Sequence, residues 1–234
     1  MMGARPYYID RHDAGRTLAL HLSHYKDQPN VLVLALPRGG VAVAYEVAQA
    51  LNAPLDVCVV RKLGFPGHEE YAMGAIASGG VRVMNPLPGI TVAPETVAAV
   101  LVKEQNELGR REQLYRAQRP PVKIAGRTVI LVDDGLATGA TMRAAAVSVR
   151  QQHPARLVVA VPVGARESCS SLRDVVDEIV CPAMPDPFQA LSLWYELMPQ
   201  ASDKEVCTLL QKAWLAHISP SQIFTKSADH SAGR

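Results

Sequence analysis

Residues 129–141 read Val-Ile-Leu-Val-Asp-Asp-Gly-Leu-Ala-Thr-Gly-Ala-Thr. The β-branched and apolar run from Thr128 to Val132 predicts a strand, as does the run from Val31 to Leu36, which is apolar on both faces and is predicted to be a buried central strand. The segment after Thr141 predicts a helix with one apolar face, formed by Met142, Ala145, Ala146 and Val149. Because ligands of open α/β sheets bind at the carboxyl ends of the strands, the loop between this strand and this helix is the first candidate for a binding site.

The loop combines groups that suit a phosphorylated sugar. Its glycines and hydroxyl side chains are Gly135, Thr138, Gly139 and Thr141. Glycines let the backbone approach a ligand closely, and hydroxyls beside the free N–H groups of a helix N-terminus suit a dianionic phosphate. Asp133 and Asp134 would repel that phosphate, so they must face either sugar hydroxyls or a hard divalent cation. The loop is therefore predicted to bind a ribose 5-phosphate.

Four apolar residues, two acids and then x-x-Ala-Thr-Gly-x-Thr resemble the phosphoribosyl-diphosphate (PRPP) motif of type I phosphoribosyltransferases. In that family the acids contact the ribose 2′ and 3′ hydroxyls and the Thr-Gly loop binds the 5′-phosphate. The resemblance implies that Asp133 and Asp134, with Gly135 beside them, bind the ribose. It assigns the 5′-phosphate to Ala137, Thr138, Gly139, Ala140 and Thr141. Helix capping by the acids would explain one of them, but not both together with the loop.

Two further segments agree with the resemblance. Leu36-Pro37-Arg38-Gly39-Gly40 is similar to the family's diphosphate loop, which often holds a strained peptide, although Pro-x-Gly-Gly is also an ordinary tight turn. Arg61-Lys62 resembles a basic dipeptide of these enzymes, and since strand side chains alternate, one of the two is expected to reach the ligand. The implied diphosphate ligands are Arg38, Gly39, Gly40, Arg61 and Lys62. The implied catalytic residues are Arg38, Lys62, Asp133 and Asp134.

The resemblance covers residues 10–200 and is strongest to a bacterial group of phosphoribosyltransferases of unassigned substrate, which share Pro-Arg-Gly-Gly, Arg-Lys and Asp-Asp-x-x-Ala-Thr-Gly. It implies displacement of diphosphate from PRPP by a ring nitrogen of a heterocyclic base, as in nucleotide metabolism. Mg²⁺ is the implied cofactor, carried by PRPP and touching Asp133 or Asp134 at most. The implied assembly is a homodimer. The residue before the Thr-Gly pair is Ala137, whereas the hypoxanthine-guanine branch of the family has an acid at this position. A reaction with a 6-oxopurine that needs this acid is therefore disfavoured.

The wider sequence predicts an α/β fold with a mostly parallel central sheet flanked by helices and a small C-terminal flap or hood. We expect one domain over residues 1–218, with hood elements within 182–218 and a polar tail at 219–234. The predicted strands are 31–36, 55–60 and 128–132, with a hairpin at 71–77 and 81–84 and a strand-loop-helix-strand from 157 to 181. The predicted helices begin at Asp10 or Asp13, at 41, at Pro94, at Met142 and near Asp203.

Two segments beyond the motifs are candidates for substrate contacts. Residues 63–70 are rich in Gly and Pro and lie where the family keeps a mobile catalytic loop, so His68, Glu69 and Glu70 are either proton carriers or solvated loop residues. The flap at 182–199 carries Phe188, Trp194 and Tyr195. These aromatic side chains either stack on a flat base or pack against the core. Packing against the core is the more common of the two.

Composition excludes several other classes. Of the 234 residues, 48% are hydrophobic and 20% are charged, and the net charge is +2, which gives no reason to expect nucleic acid or a membrane as partner. We expect a cytoplasmic protein, since the N-terminus lacks the apolar region of a signal peptide. The four cysteines lack zinc-ligand spacing and are interpreted as small buried apolar residues. The alternative to catalysis is a regulator that senses PRPP or nucleotides on the same fold.

Overall fold

Strands and helices alternate along the computed structural model, which describes residues 7–66, 68–84, 92–117 and 119–217, without the side chains of residues 68–72. The helices are α1 (Arg11–His21), α2 (Gly40–Leu51), α3 (Pro94–Arg116), α4 (Ala140–Arg150), α5 (Arg166–Ser171) and α6 (Asp203–His217). The strands are β1 (Val31–Ala35), β2 (Leu55–Val57), β3 (Val60–Phe65), β4 (His68–Ala77), β5 (Val81–Met84), β6 (Thr128–Val132), β7 (Arg156–Ala160) and β8 (Glu178–Val180). Short 3₁₀ helices lie at Ser23–Tyr25 and Leu191–Trp194. The predicted tail at 219–234 lies outside the described residues.

Five strands form the central sheet, in the order β2-β1-β6-β7-β8. All neighbouring pairs are parallel, and Val33 of β1 lies opposite Ile130 of β6. Since strand side chains alternate between faces, Val33 packs with the cluster formed by α1, α2 and α6, while Leu32 and Leu34 pack with α4 and α5. The sheet is therefore buried on both faces, which explains the continuous apolar runs and confirms the predicted α/β fold.

The helix that opens the chain begins where the sequence predicts. The Asp10 side chain accepts a hydrogen bond from the backbone N–H of Asp13 at 2.8 Å, which caps the free N-terminus of α1. Leu18 and Leu22 are fully buried against α2. This packing fixes the start of α1, including Arg11, over the carboxyl ends of the strands.

A second, antiparallel sheet has the order β3-β4-β5, and here the structure corrects two predictions. The strand predicted over 55–60 ends at Val57, and Arg61-Lys62 belongs to the separate strand β3. Residues 63–70, predicted as a mobile loop, lie largely in β3 and β4. The pairing is irregular at Gly64, where the register shifts, so the glycine marks a bulge in a hairpin and not a loop. The predicted hairpin of β4 and β5 is confirmed.

The segment from 182 to 199 is irregular, as predicted, and packs over the N-terminal residues. Tyr8 pairs with Tyr195 in a parallel bridge, and the buried cluster around them includes Val163 and Trp194. Helix α6 follows and packs on α2 and α3, with Leu210 fully buried. The flap thus lies beside the carboxyl ends of the central strands, where the site is expected.

Candidate functional site

The two acids follow β6 directly and differ in their surroundings. Asp133 is half-buried, and its Oδ1 accepts a hydrogen bond from the backbone N–H of Asp134 at 2.9 Å. Burial and the neighbouring charge of Asp134 raise the pKa of Asp133 well above its usual value, while Arg11 acts to lower it. Two adjacent carboxyls at the end of a buried strand, with partly open oxygens, form one end of the predicted ribose site.

Asp134 is held by two residues that the sequence did not assign to it. The Nε atom of Arg11 lies 2.7 Å from Asp134 Oδ2, and both side chains are only 13% exposed. The hydroxyl of Tyr195 donates to the backbone carbonyl of Asp134 at 2.6 Å. Arg11 also donates to the carbonyl of Pro199 at 2.6 Å. Because Arg11 and Asp134 are 123 residues apart, no local sequence pattern could reveal their contact.

The Pro-Arg-Gly-Gly segment lies against the same acids. A Cβ atom on Gly39 would be 1.9 Å from Asp134 Oδ2, and one on Gly40 would be 2.8 Å from the Cα of Asp133. Both distances are far inside van der Waals contact. The peptide bond between Pro37 and Arg38 is cis. The predicted diphosphate loop and the predicted ribose site are therefore adjacent, and the glycines are required by the close approach of the two segments.

The loop from Asp133 to Met142 lines a pocket of about 220 Å³, to which the flap contributes Leu191. Gly139 has a φ of 75°, a left-handed conformation that favours glycine, and it caps α4. Ser168 on α5 holds the loop by donating a hydrogen bond from its hydroxyl to the carbonyl of Ala137 at 2.5 Å. Thr138 is exposed, so the N-terminus of α4 faces this open pocket, as a phosphate site requires.

The basic residues of the predicted diphosphate site point in different directions. Arg61 is paired with Glu104 of α3, with a shortest N–O distance of 2.6 Å. Lys62 instead lines a cavity of about 120 Å³ beside Ala140, at the start of α4. Arg38 is half-buried. Burial raises the pKa of the Tyr115 hydroxyl to about 12, and the nearby charge of Arg38 acts in the opposite direction. The side chains of Arg61 and Lys62 thus face different elements, α3 and α4.

The aromatic residues of the flap pack mainly against each other. Trp194 and Tyr195 are only 6% and 4% exposed, and the half-exposed Tyr7 stacks on Trp194 with ring centres 5.2 Å apart. Packing, and not stacking on a ligand, accounts for these two side chains. The Nε1–H of Trp194 is buried and has no hydrogen-bond partner in the described part of the chain. Phe188 is half-buried beside Trp194.

Some predicted contacts lie beyond what the structure describes. The side chains of His68, Glu69 and Glu70 belong to the undescribed part of β4, so their suggested proton-carrier role stays a prediction. Among the described residues, no group of three or more His, Cys, Asp or Glu side chains is arranged to hold a metal ion. No helix within the described ranges is long and apolar enough to cross a membrane.

Comparison with known proteins identifies the family of this chain. The family model described as "Phosphoribosyl transferase domain" matches residues 10–189. Two curated Mycobacterium tuberculosis proteins, from strains CDC 1551 / Oshkosh and ATCC 25618 / H37Rv, each carry the description "Putative phosphoribosyl transferase" and are 44% identical over 208 residues. Each match covers 88% of this chain and 47% of the relative, so the chain spans about half the length of these relatives.

A solved structure is also similar over most of its length. The crystal structure of the protein TT1426 from Thermus thermophilus superposes with a TM-score of 0.78 at 39% sequence identity. The match covers 89% of this chain and 99% of that chain. The similarity therefore extends over most of this chain and nearly all of that one.

Proposed function

This chain belongs to the type I phosphoribosyltransferase family, and from that premise we propose that it transfers a 5-phosphoribosyl group from PRPP to a ring nitrogen of a heterocyclic base, releasing diphosphate. The observation that carries the proposal is the pocket at the end of β6. It has two carboxyls at one end and the open N-terminus of α4 at the other. A ribose bearing a 5′-phosphate presents hydroxyls and a dianion in that same order.

In the proposed complex the loop binds PRPP at both ends of the ribose. The backbone N–H groups and hydroxyls from Thr138 to Thr141 bind the 5′-phosphate, and the carboxyls of Asp133 and Asp134 accept hydrogen bonds from ribose hydroxyls. The Gly39-Gly40 backbone, which lies against these acids, binds the diphosphate with Arg38. The ribose is thus fixed with its anomeric carbon open on the side of the flap.

The chemical step calls for electrostatic stabilisation. Positive charge develops on the ribose ring as the bond to diphosphate breaks, and negative charge develops on the leaving group. We assign to Arg38 and Lys62 the role of offsetting the negative charge, and to the acid pair that of binding the ribose side. The ring nitrogen of the base then forms its bond to the anomeric carbon from the opposite face, with inversion. No covalent enzyme intermediate is required.

The residues present fit a magnesium ion that arrives with the substrate. Asp133 and Asp134 offer carboxylate oxygens, the hard ligands that Mg²⁺ prefers, but the described residues add no third acidic or histidine side chain. Mg²⁺ bound to PRPP would neutralise part of the diphosphate charge. The protein's own contribution is to hold the ribose and phosphate oxygens that bear the ion.

For the acceptor, we propose a base whose reaction needs no acid at position 137. Ala137 is exposed, and its carbonyl is bonded to Ser168, so this position supplies no proton acceptor of its own for a purine nitrogen. On the flap side, Leu191 lines the pocket. An apolar side chain at this place suits the face of a neutral, flat heterocycle better than a charged ring.

An assay of diphosphate release tests the proposed function. Purified protein is incubated with PRPP, Mg²⁺ and single bases from a panel of purines and pyrimidines, with an Asp133→Asn/Asp134→Asn variant as the control. We expect release that depends on one class of base and is absent in the variant. PRPP binding without release for any base would contradict the transferase proposal and favour a sensor of PRPP.

A further inference from the structure

Arg11 makes contacts that link three parts of the site. Its Nε atom is bonded to Asp134 Oδ2, and its Nη1 atom donates to the carbonyl of Pro199 at the end of the flap. The residue stands at the first turn of α1, whose position is fixed by the Asp10 cap and by burial of Leu18. A carboxylate of the ribose site is therefore tied at once to the N-terminal helix and to the flap.

The surrounding backbone leaves room for this ion pair. A Cβ on Gly39 would lie 1.9 Å from Asp134 Oδ2 and 3.0 Å from Arg11 Nε, so any larger residue would occupy the same space as the pair. A charge-assisted contact of 2.7 Å between two side chains with little solvent exposure is screened less by water and salt than an exposed surface pair. The ion pair is a built part of the site and not an incidental surface contact.

We propose that Arg11 is a positioning residue for the ribosyl group, which fixes the Asp134 carboxylate so that its free oxygen can accept a hydrogen bond from a ribose hydroxyl. This inference rests on the proposed function. It goes beyond the motif residues because Arg11 lies far outside the loop that binds PRPP. Arg11 acts through Asp134 and is not itself required to touch the ligand.

The charged and titratable groups around this carboxylate limit the alternatives. Asp133 precedes Asp134 in the loop after β6, Arg11 comes from α1, and Tyr195 comes from the flap, with Tyr8 close to it. Gly39 and Gly40 contribute backbone only. Within the described part of the chain, Arg11 is the positive side chain in short contact with Asp134. Replacing Arg11 by a neutral residue removes this contact.

The test measures how well the site recognises a ribose hydroxyl. Isothermal titration with PRPP, ribose 5-phosphate and 2-deoxyribose 5-phosphate, each with Mg²⁺, is carried out on wild type, Arg11→Gln and Arg11→Lys. Arg16→Gln is the matched control, because Arg16 lies on the same helix but is exposed and pairs only with Asp13 among the described residues. Thermal melting of each variant shows whether the fold is intact.

We expect Arg11→Gln to weaken PRPP binding about tenfold, which is the effect of losing one charge-assisted hydrogen bond. The preference for ribose 5-phosphate over its 2-deoxy analogue should shrink in Arg11→Gln and recover in part in Arg11→Lys. A loss of structure alone would weaken both sugar phosphates equally, so an unchanged preference would overturn the inference. Tighter binding by Arg11→Gln would also overturn it, since the guanidinium would then be competing with the ribose. If wild type binds none of the ligands, the proposed function itself fails.

Discussion

At the scale of single residues, the two acids of the site differ: the Asp133 carboxyl is costly to ionise, whereas the Asp134 carboxylate is paired with a positive side chain. Asp133 is held against its neighbour's charge in a half-buried position, which raises its pKa. Asp134 has the short contact to Arg11. A carboxyl with a raised pKa, such as Asp133, is typical of a ligand-binding site, where the side chain serves binding and lowers the stability of the fold. Removing the negative charge of Asp133 should therefore raise the free energy of unfolding.

Asp133→Asn is predicted to stabilise the fold at neutral pH while abolishing PRPP binding. Because the folded-state pKa of Asp133 is raised above the unfolded value of 3.8, the folded state binds the proton more tightly, and stability falls as pH rises through the window between the two values. Asparagine keeps the side-chain oxygen that accepts the bond from Asp134 N–H. Melting curves should show a higher Tm at pH 7, by roughly 2–4 °C for each kcal/mol regained.

The pH dependence provides the control for this variant. Below about pH 3 both states of the wild type are protonated at Asp133, so the difference in Tm between variant and wild type should vanish there. A Tm for Asp133→Asn below that of wild type at pH 7 would show that the carboxylate stabilises the fold and would contradict the raised pKa.

Gly39→Ala is predicted to destabilise the protein and weaken PRPP binding, because the added methyl group overlaps Asp134 Oδ2. Overpacking of this kind typically costs about 1–3 kcal/mol. Gly109→Ala is the matched control, since a Cβ there meets nothing within 4 Å and the residue lies inside α3. It should stabilise the helix by up to about 1 kcal/mol. Urea unfolding of the two variants decides whether the two changes have opposite signs.

At the scale of elements, the parallel part of the fold could be predicted closely and the hairpin sheet could not. The strand at 128–132 and the helix from 94 to 116 have the predicted bounds, because their apolar period and the N-terminal proline are local signals. The prediction of a loop over residues 63–70 was wrong because glycine and proline usually mark loops, whereas Gly64 here forms a bulge within a hairpin. Arg61 is paired with Glu104 of α3, 43 residues away along the chain, and no local sequence pattern could predict this contact.

The two neighbouring bases of β3 should have separable effects. Lys62→Met is predicted to weaken binding of PRPP more than that of ribose 5-phosphate, because the role proposed for Lys62 is to bind the diphosphate, which ribose 5-phosphate lacks. Arg61→Met should instead lower the free energy of unfolding, since it leaves the carboxylate of Glu104, which is largely buried, without its partner. Calorimetry and urea unfolding on both variants compare these effects. Equal losses of PRPP affinity would show that both side chains reach the ligand.

At the scale of the whole molecule, two apolar layers enclose the central sheet and leave the carboxyl ends of its strands to the site. The layer on the side of α4 contains Cys58, Cys169 and Cys181, all buried. Cys207 of α6 is half-buried on the other side. These positions agree with the sequence interpretation of the cysteines as small apolar residues, and their accessibility reports on the integrity of both layers.

Thiol labelling checks this arrangement of layers. With an aromatic disulfide reagent at pH 8, we expect at most Cys207 to react in the folded protein and all four cysteines to react after unfolding. Burial raises the pKa of Cys58 to about 12, which leaves little thiolate to react even when reagent approaches. Cys207→Ser should remove the native reaction. Rapid labelling of Cys58 in native protein would contradict a closed layer beneath α4.

The central claim is that the loop at the end of β6 is a site for PRPP, and calorimetry tests it most directly. PRPP with Mg²⁺ is titrated into wild type and into Asp133→Asn/Asp134→Asn, with folding of the variant verified by circular dichroism. We predict saturable binding to wild type at one site per chain and its loss in the variant. Absence of binding to wild type at millimolar PRPP, or equal binding to the variant, would contradict the claim.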